Sequence, residues 1–155
     1  MEWLSFPFIR STIIEKGIID LPYGNGRHAP IAAEDQARVI ATILAKPAVH
    51  LGKTYTLCGP TELDQAGIAA AITEVLGRKI SYRPLTIPQY RERLEKAGLH
   101  EFMIQHFCAV AVDYQNGLFS GEDKFIAELT GKPPMTVRDF VASHRKAFTT
   151  ASAAG

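Results

Sequence analysis

Glycine and proline cut this sequence into pieces too short for any single long element. Pro47, Gly59-Pro60, Gly77, Gly98 and Gly131 with Pro133-Pro134 each end a segment. Proline has no backbone N–H to continue a helix, and glycine accepts the left-handed turn that closes one. What lies between these stops is short strands alternating with helices of a few turns. With 155 residues, 46% hydrophobic and 21% charged, the chain suits one domain or one half of a larger one. Coiled coil and intrinsic disorder are excluded as its overall class.

Residues 1–16 combine Trp3, Leu4, Phe6, Phe8, Ile9, Ile13 and Ile14 with few polar groups. Pro7 interrupts their helical spacing, so an irregular or broken helix is expected. Residues 17–23 read as a strand. Asn25-Gly26 then signals a hairpin, whose type I′ turn needs positive φ at both central residues. The returning strand would occupy Arg27 to Ala32. A helix over 33–46 follows, with Ala37, Ile40, Ala41 and Leu44 at helical spacing and Val39 and Ile43 widening the stripe. Glu34 and Asp35 favour its positive N-terminal end. Lys53–Cys58 has the alternation and composition of a strand.

Thr61-x-x-Asp64 reads as a helix start, ahead of Ile68, Ile72, Val75 and Leu76. Residues 79–83 give another strand. Helices are expected after Pro88, over 100–117, over about 122–130, and from Thr136 through Phe148. A frayed tail occupies 149–155. The fold class is therefore α/β, as an α+β-like piece with a small sheet of short strands packed with five to six helices.

Seventeen Lys+Arg against sixteen Asp+Glu leave a net charge of +1, so neither nucleic acid nor an anionic membrane surface is an expected partner. No apolar run is long enough to span a bilayer, and the first residues lack a secretory pattern. Two cysteines, Cys58 and Cys108, make no disulfide framework and point to a reducing, cytoplasmic setting.

Gly24-Asn25-Gly26-Arg27-His28-Ala29 matches G-x-G-x-x-A literally. A phosphate-binding loop of this kind must open a helix at once, but Pro30 and Ile31 delay it. No acidic residue stands about 20 positions on to hold a ribose. The run is read as a turn. No tyrosine has a lysine four residues later, and no G-x-S-x-G elbow occurs. His100, His106 and Cys108 fit no metal-ligand spacing. His28, after the turn and beside Arg27, is either a pocket residue or a solvated turn residue.

The ordered runs Ile18–Ile31, Glu34–Val39, Leu51–Pro60, Tyr114–Gly117 and Leu129–Pro134 resemble the NmrA-like branch of atypical short-chain dehydrogenases. The resemblance covers nearly all of 1–148, read as a single domain. In that family the dinucleotide loop lies near the N-terminus of a chain about twice as long. The resemblance therefore implies the C-terminal, substrate-side half of an NmrA-like NAD(P)-binding fold, without the Rossmann dinucleotide unit. NAD(P) is implied for the full-length family, with no cofactor and no catalytic residue for this chain alone. The expected function is the substrate-binding half of an oxidoreductase or redox sensor, unable to transfer hydride alone. A stand-alone binding or regulatory module is the alternative.

The resemblance places a small-molecule site between the N-terminal aromatics, the turn bearing His28 and the helix over 100–114. Trp3, Phe6, His28, Phe102 and Phe107 are its candidate lining. It also implies an uncovered surface where a separate Rossmann half would sit. The apolar Trp3–Ile14 segment is expected to lie there, and to join copies as a homodimer or even oligomer through Trp3, Phe6 and Phe8.

Overall fold

The computed structural model describes residues 1–149. A 3-10 turn, Glu2–Ser5, leads into α1 (Pro7–Lys16), followed by β1 (Ile18–Ile19), β2 (Arg27–His28) and α2 (Ala33–Ala45). A second 3-10 turn, Pro47–His50, precedes β3 (Leu63–Asp64), α3 (Gln65–Leu76), β4 (Ser81–Tyr82) and α4 (Ile87–Lys96). Helices α5 (Glu101–Gln115), α6 (Phe125–Thr130), α7 (Val137–Ser143) and α8 (Arg145–Thr149) complete the order. The described residues are mostly helical around short strands, as expected. Among the described residues eight α-helices stand where five to six were expected, because Pro7–Lys16 forms a regular helix and the run expected over 136–148 divides at His144. The strand expected at Lys53–Cys58 has no ladder partner among them. Thr149 closes α8, and the rest of the expected tail, 150–155, lies outside the described residues. No helix among them is long and apolar enough to cross a membrane.

Pro7 stands in the first turn of α1, where its missing N–H would have had no partner. The expected break is thus where the helix begins. Gly17 ends it at φ 64°, and a Cβ there would stand 2.8 Å from the Lys79 carbonyl oxygen. The chain passes directly into β1, which pairs in parallel with β4. Beyond the ladder, the Arg83 and Leu85 amides donate to Ile19 and Leu21 at 2.8 and 3.2 Å. The strands expected at 17–23 and 79–83 are therefore each other's partners.

The expected hairpin does not form. Gly26 N–H donates to the Tyr23 carbonyl at 2.9 Å, so the turn is centred on Gly24 and Asn25. Only Gly24 has positive φ; Asn25 and Gly26 do not. Without the type I′ geometry the chain is not returned along β1, and β2 pairs antiparallel with β3 instead. Asp64, not Thr61, caps α3 by accepting from Gly67 N–H at 2.7 Å. Thr61 is one step too early because Leu63 and Asp64 are held in β3. The start expected at Thr136 does form, with Thr136 and Asp139 bonding each other's backbone.

α3 is the centre of the core. Its Ile68, Ala69, Ala71, Ile72 and Leu76 are buried, and it packs on α7, whose Val137, Phe140 and Val141 are buried too. Leu4, Ile9 and Ile13 join the same cluster. The N-terminal segment is thus not the uncovered surface that its composition suggested. Of its large apolar residues only Phe6 is exposed.

Polar clamps fix the outer elements. Asp20, buried just past β1, accepts from Arg93 on α4 and from Arg83 at 3.1 Å. Arg93 also donates to the Asp20 and Phe8 carbonyls. Removing one member of a buried pair strands the other, at a cost of several kcal/mol. Arg93→Met is expected to lower stability by about 3 kcal/mol, read as a lower urea midpoint at unchanged m-value.

Candidate functional site

An open cavity of about 210 Å³ lies where the N-terminal segment, the Tyr23 turn, α4 and α5 meet. Its lining includes Trp3, Phe6, Tyr23, Tyr90, Phe107 and Tyr114. On one side Phe6, Phe8 and Phe107 pack mutually with centroids 5.9–6.2 Å apart, Phe107 edge-on to both. This is the arrangement the ring quadrupoles favour. On the other, Tyr23 and Tyr114 stack in parallel at 4.1 Å and 7°.

Backbone contacts create that stack. The Gln115 side-chain Nε2 donates to the Pro22 backbone carbonyl at 2.6 Å. Gly26 lies so close to α5 that a Cβ would come within 2.3 Å of the Tyr114 carbonyl oxygen. A side chain at Gly26 would lift the turn, and Tyr23 with it, off the helix.

The same contact decides what the G-x-G-x-x-A run is for. A pyrophosphate needs the glycine backbone open to it and a helix starting behind it. Here Gly26 is packed on α5, and the following residues form β2. Arg27 is engaged by the Glu62 carboxylate and carbonyl, each at 3.0 Å. These residues do not fit a dinucleotide.

His28 stands behind the cavity, edge-on to Tyr114 at 5.1 Å and 6.4 Å from Trp3. Its Nδ1 is buried with no hydrogen-bond partner. Burial, aided by the Met1 ammonium, pushes its pKa down to about 4, against a smaller opposing pull from Glu62. Burial pushes the Tyr23 phenol up to about 12 and raises Tyr90 and Tyr114 as well. At neutral pH these four groups are uncharged. Aromatic side chains make up most of the cavity's lining.

Of the residues singled out in the sequence, Trp3, Phe6 and Phe107 line the cavity, and His28 touches its wall. Phe102 does not join them. It is 68% exposed at the start of α5, a full turn and more from Phe107. Ile9, Tyr23, Tyr90, His106, Val110 and Tyr114, none of them singled out as site residues in the sequence, complete the lining. The one signal that pointed to Tyr23 and Tyr114 was Gly26, a glycine that permits a close backbone approach. Among the described residues no cluster of three metal-ligating side chains occurs.

No protein-family model matches the chain. It is 31% identical over 140 residues to the NAD(P)H azoreductase of Xenophilus azovorans, covering 88% of this chain and 47% of that one. It is 25% identical over 142 residues to quinone oxidoreductase 2 of Escherichia coli, covering 90% and 49%. The NADP(H) complex of the Citrobacter sp. triphenylmethane reductase superposes with a TM-score of 0.80 at 22% identity, over 92% of this chain and 49% of that one. These are NAD(P)-dependent reductases of the NmrA-like, atypical short-chain dehydrogenase type, and the chain is similar to them along nearly its whole length. It spans about half the length of the curated relatives it matches, in keeping with the C-terminal half that the sequence resembles.

The depressed His28 pKa makes folding pH-dependent. Between about pH 6.5 and 4 the unfolded chain binds a proton that the folded chain refuses, so stability is complete above 6.5 and declines as pH falls toward 4. His28→Gln is expected to flatten that part of the curve. Urea midpoints at pH 7.0 and 4.5 for both proteins provide the check.

Proposed function

We propose that this chain is the substrate-side half of an NmrA-like NAD(P)H-dependent reductase, and that its aromatic cavity receives a planar, uncharged acceptor such as a quinone. One observation carries the reading: an open, largely aromatic cavity bounded by the Tyr23–Tyr114 stack and the Phe6–Phe8–Phe107 wall. Its relatives include proteins named as an azoreductase, a quinone oxidoreductase and a triphenylmethane reductase, names that point to aromatic or conjugated acceptors.

At about 210 Å³ the cavity is smaller than the ~300 Å³ at which pockets for drug-sized ligands begin. It covers one face or one ring of such a molecule and leaves the remainder open. The nicotinamide nucleotide of the family supplies a hydride when bound beside the acceptor. This chain contributes the acceptor's seat. Tyr23, Tyr114 and Phe107 orient the ring, and the apolar wall excludes water from one side of it. Hydride transfer requires a dinucleotide-binding half that these residues do not provide.

Trp3 is the single tryptophan of the sequence and lines the cavity, so binding is directly readable. Menadione is expected to quench Trp3 fluorescence saturably at micromolar concentration. Val110→Phe, which fills the cavity, is expected to weaken binding roughly tenfold, a loss of about 1.4 kcal/mol. Phe102→Ala, outside the cavity, is expected to leave it unchanged. Unsaturable quenching, or equal binding by the Val110 variant, removes the reading. NADPH titrated into the chain alone is expected to give no saturable change in nucleotide fluorescence.

A further inference from the structure

Five tyrosines occur in the sequence, and the fold divides them into two groups. The hydroxyls of Tyr55 and Tyr82 are bonded within the protein, to His50 Nδ1 at 2.8 Å and to the Leu21 carbonyl at 2.9 Å. Tyr23, Tyr90 and Tyr114 line the aromatic cavity. Their hydroxyls have no hydrogen-bond partner among the described residues. Tyr114 is half-buried, but Tyr90 is only 1% exposed and Tyr23 only 9%.

A buried hydroxyl is normally paired, because an unpaired one forfeits the bonds it made to water. Neither of these two is walled off. The unpartnered side-chain oxygens that solvent does not reach are elsewhere among the described residues, on Gln65 and Asp123. The Tyr23 and Tyr90 hydroxyls therefore keep contact with open space, and the open space that both residues line is the cavity. They come to it from different elements, Tyr23 from the turn ahead of β2 and Tyr90 from the first half of α4.

Both phenols keep their protons at neutral pH. Burial is the main cause that raises their pKa values, and Tyr23 adds to the rise at Tyr90 against a smaller pull from Arg93. A neutral phenol donates a hydrogen bond, and one carbonyl oxygen has two lone pairs to accept from two donors. Water entering the open cavity can serve both hydroxyls in the free protein. A ligand carbonyl replaces those bonds, whereas a bare hydrocarbon displaces the water and strands both donors.

We propose that the Tyr23 and Tyr90 hydroxyls are a pair of hydrogen-bond donors for a ligand's carbonyl oxygen, so that the cavity selects quinones and aryl ketones over aromatic molecules that lack such an oxygen. The proposal rests on reading the cavity as the acceptor's seat and narrows that reading to one chemical class.

The test compares menadione with 2-methylnaphthalene, which has the same fused rings and methyl group without the carbonyl oxygens. Both are titrated into the full chain by quenching of Trp3 fluorescence. Tyr23→Phe and Tyr90→Phe each keep the ring and remove one unbonded hydroxyl. Each is expected to weaken menadione about fivefold, the effect of one neutral hydrogen bond, and to leave 2-methylnaphthalene bound at least as tightly as before. Urea midpoints of both variants are expected to hold. Tyr55→Phe, away from the cavity, is expected to leave both affinities unchanged. In infrared difference spectra the carbonyl stretch of bound menadione is expected to rise in each cavity variant, as a lost donor requires. Either variant binding menadione as tightly as the unaltered chain, weakening both ligands equally, or leaving the carbonyl stretch in place overturns the proposal. Failure of the underlying reading is a different result: menadione then gives no saturable quenching of the unaltered chain, and the proposal falls with it.

Discussion

The guanidinium of Arg93 joins three segments that no continuous sheet or long helix would otherwise hold together. It sits on α4, pairs with the Asp20 carboxylate at the end of β1, and donates to the Phe8 carbonyl in the first turn of α1. A backbone carbonyl in the first turn of a helix normally points into the helix and is consumed there. Phe8 offers its oxygen to Arg93 as well, so the approach of α4 to α1 is fixed by a charged hydrogen bond. Tyr90, one turn earlier on α4, and Phe6, just ahead of α1, both line the cavity. The aromatic site is a consequence of this clamp more than of the aromatic residues themselves.

What was legible in the sequence divides by the range of the interaction. The Thr136–Asp139 capping box and the Gly77 and Gly98 stops depend on neighbours a few residues away, and they formed as read. The hairpin failed because Asn25-Gly26 carries a strong turn signal without determining which strand β2 will meet. Asp64 displaced Thr61 as a cap for a similar reason, since pairing with Arg27 had already committed the preceding residues. In the site, bulky residues such as Trp3 and Phe107 were visible as candidates. The Tyr23–Tyr114 stack was not, because it requires α5 to cross the Gly26 turn, and Phe102 was misplaced because helical phase within α5 was not settled by its apolar residues alone.

Electrostatics separate the interior of the site from the rest of the surface. Ion pairs such as Arg91–Glu101 and Arg138–Glu74 lie exposed, where each contributes little to stability. Around the cavity three phenols and His28 are instead driven toward their neutral forms, the phenols by raised pKa, His28 by a lowered one. Burial works in opposite directions on acids and bases and gives the same result for these phenols and His28, the neutral form. A wall of such groups recognises shape and polarisability, and it has no ionised group of its own poised for acid–base chemistry among the phenols and His28.

The way α2 is held explains how the fold tolerates an uncovered apolar face, with Ile40 and Leu44 exposed. Its one buried apolar residue is Val39, it packs on α6, and polar bonds fix it further. Asp35, buried in the first turn, accepts from Met135 N–H at 2.7 Å and from Arg38, whose guanidinium also reaches the Pro133 carbonyl. These bonds tie the helix to the loop ahead of α7, and α7 packs directly on α3. The core formed by α3, α7 and the β1–β4 ladder therefore does not draw on the α2 stripe. A helix whose orientation is set by a buried carboxylate can present Ile40 and Leu44 outward without rolling to hide them. Rolling would break the Asp35 bonds and leave a buried carboxylate unpaired, which costs more than the water contact of two aliphatic side chains.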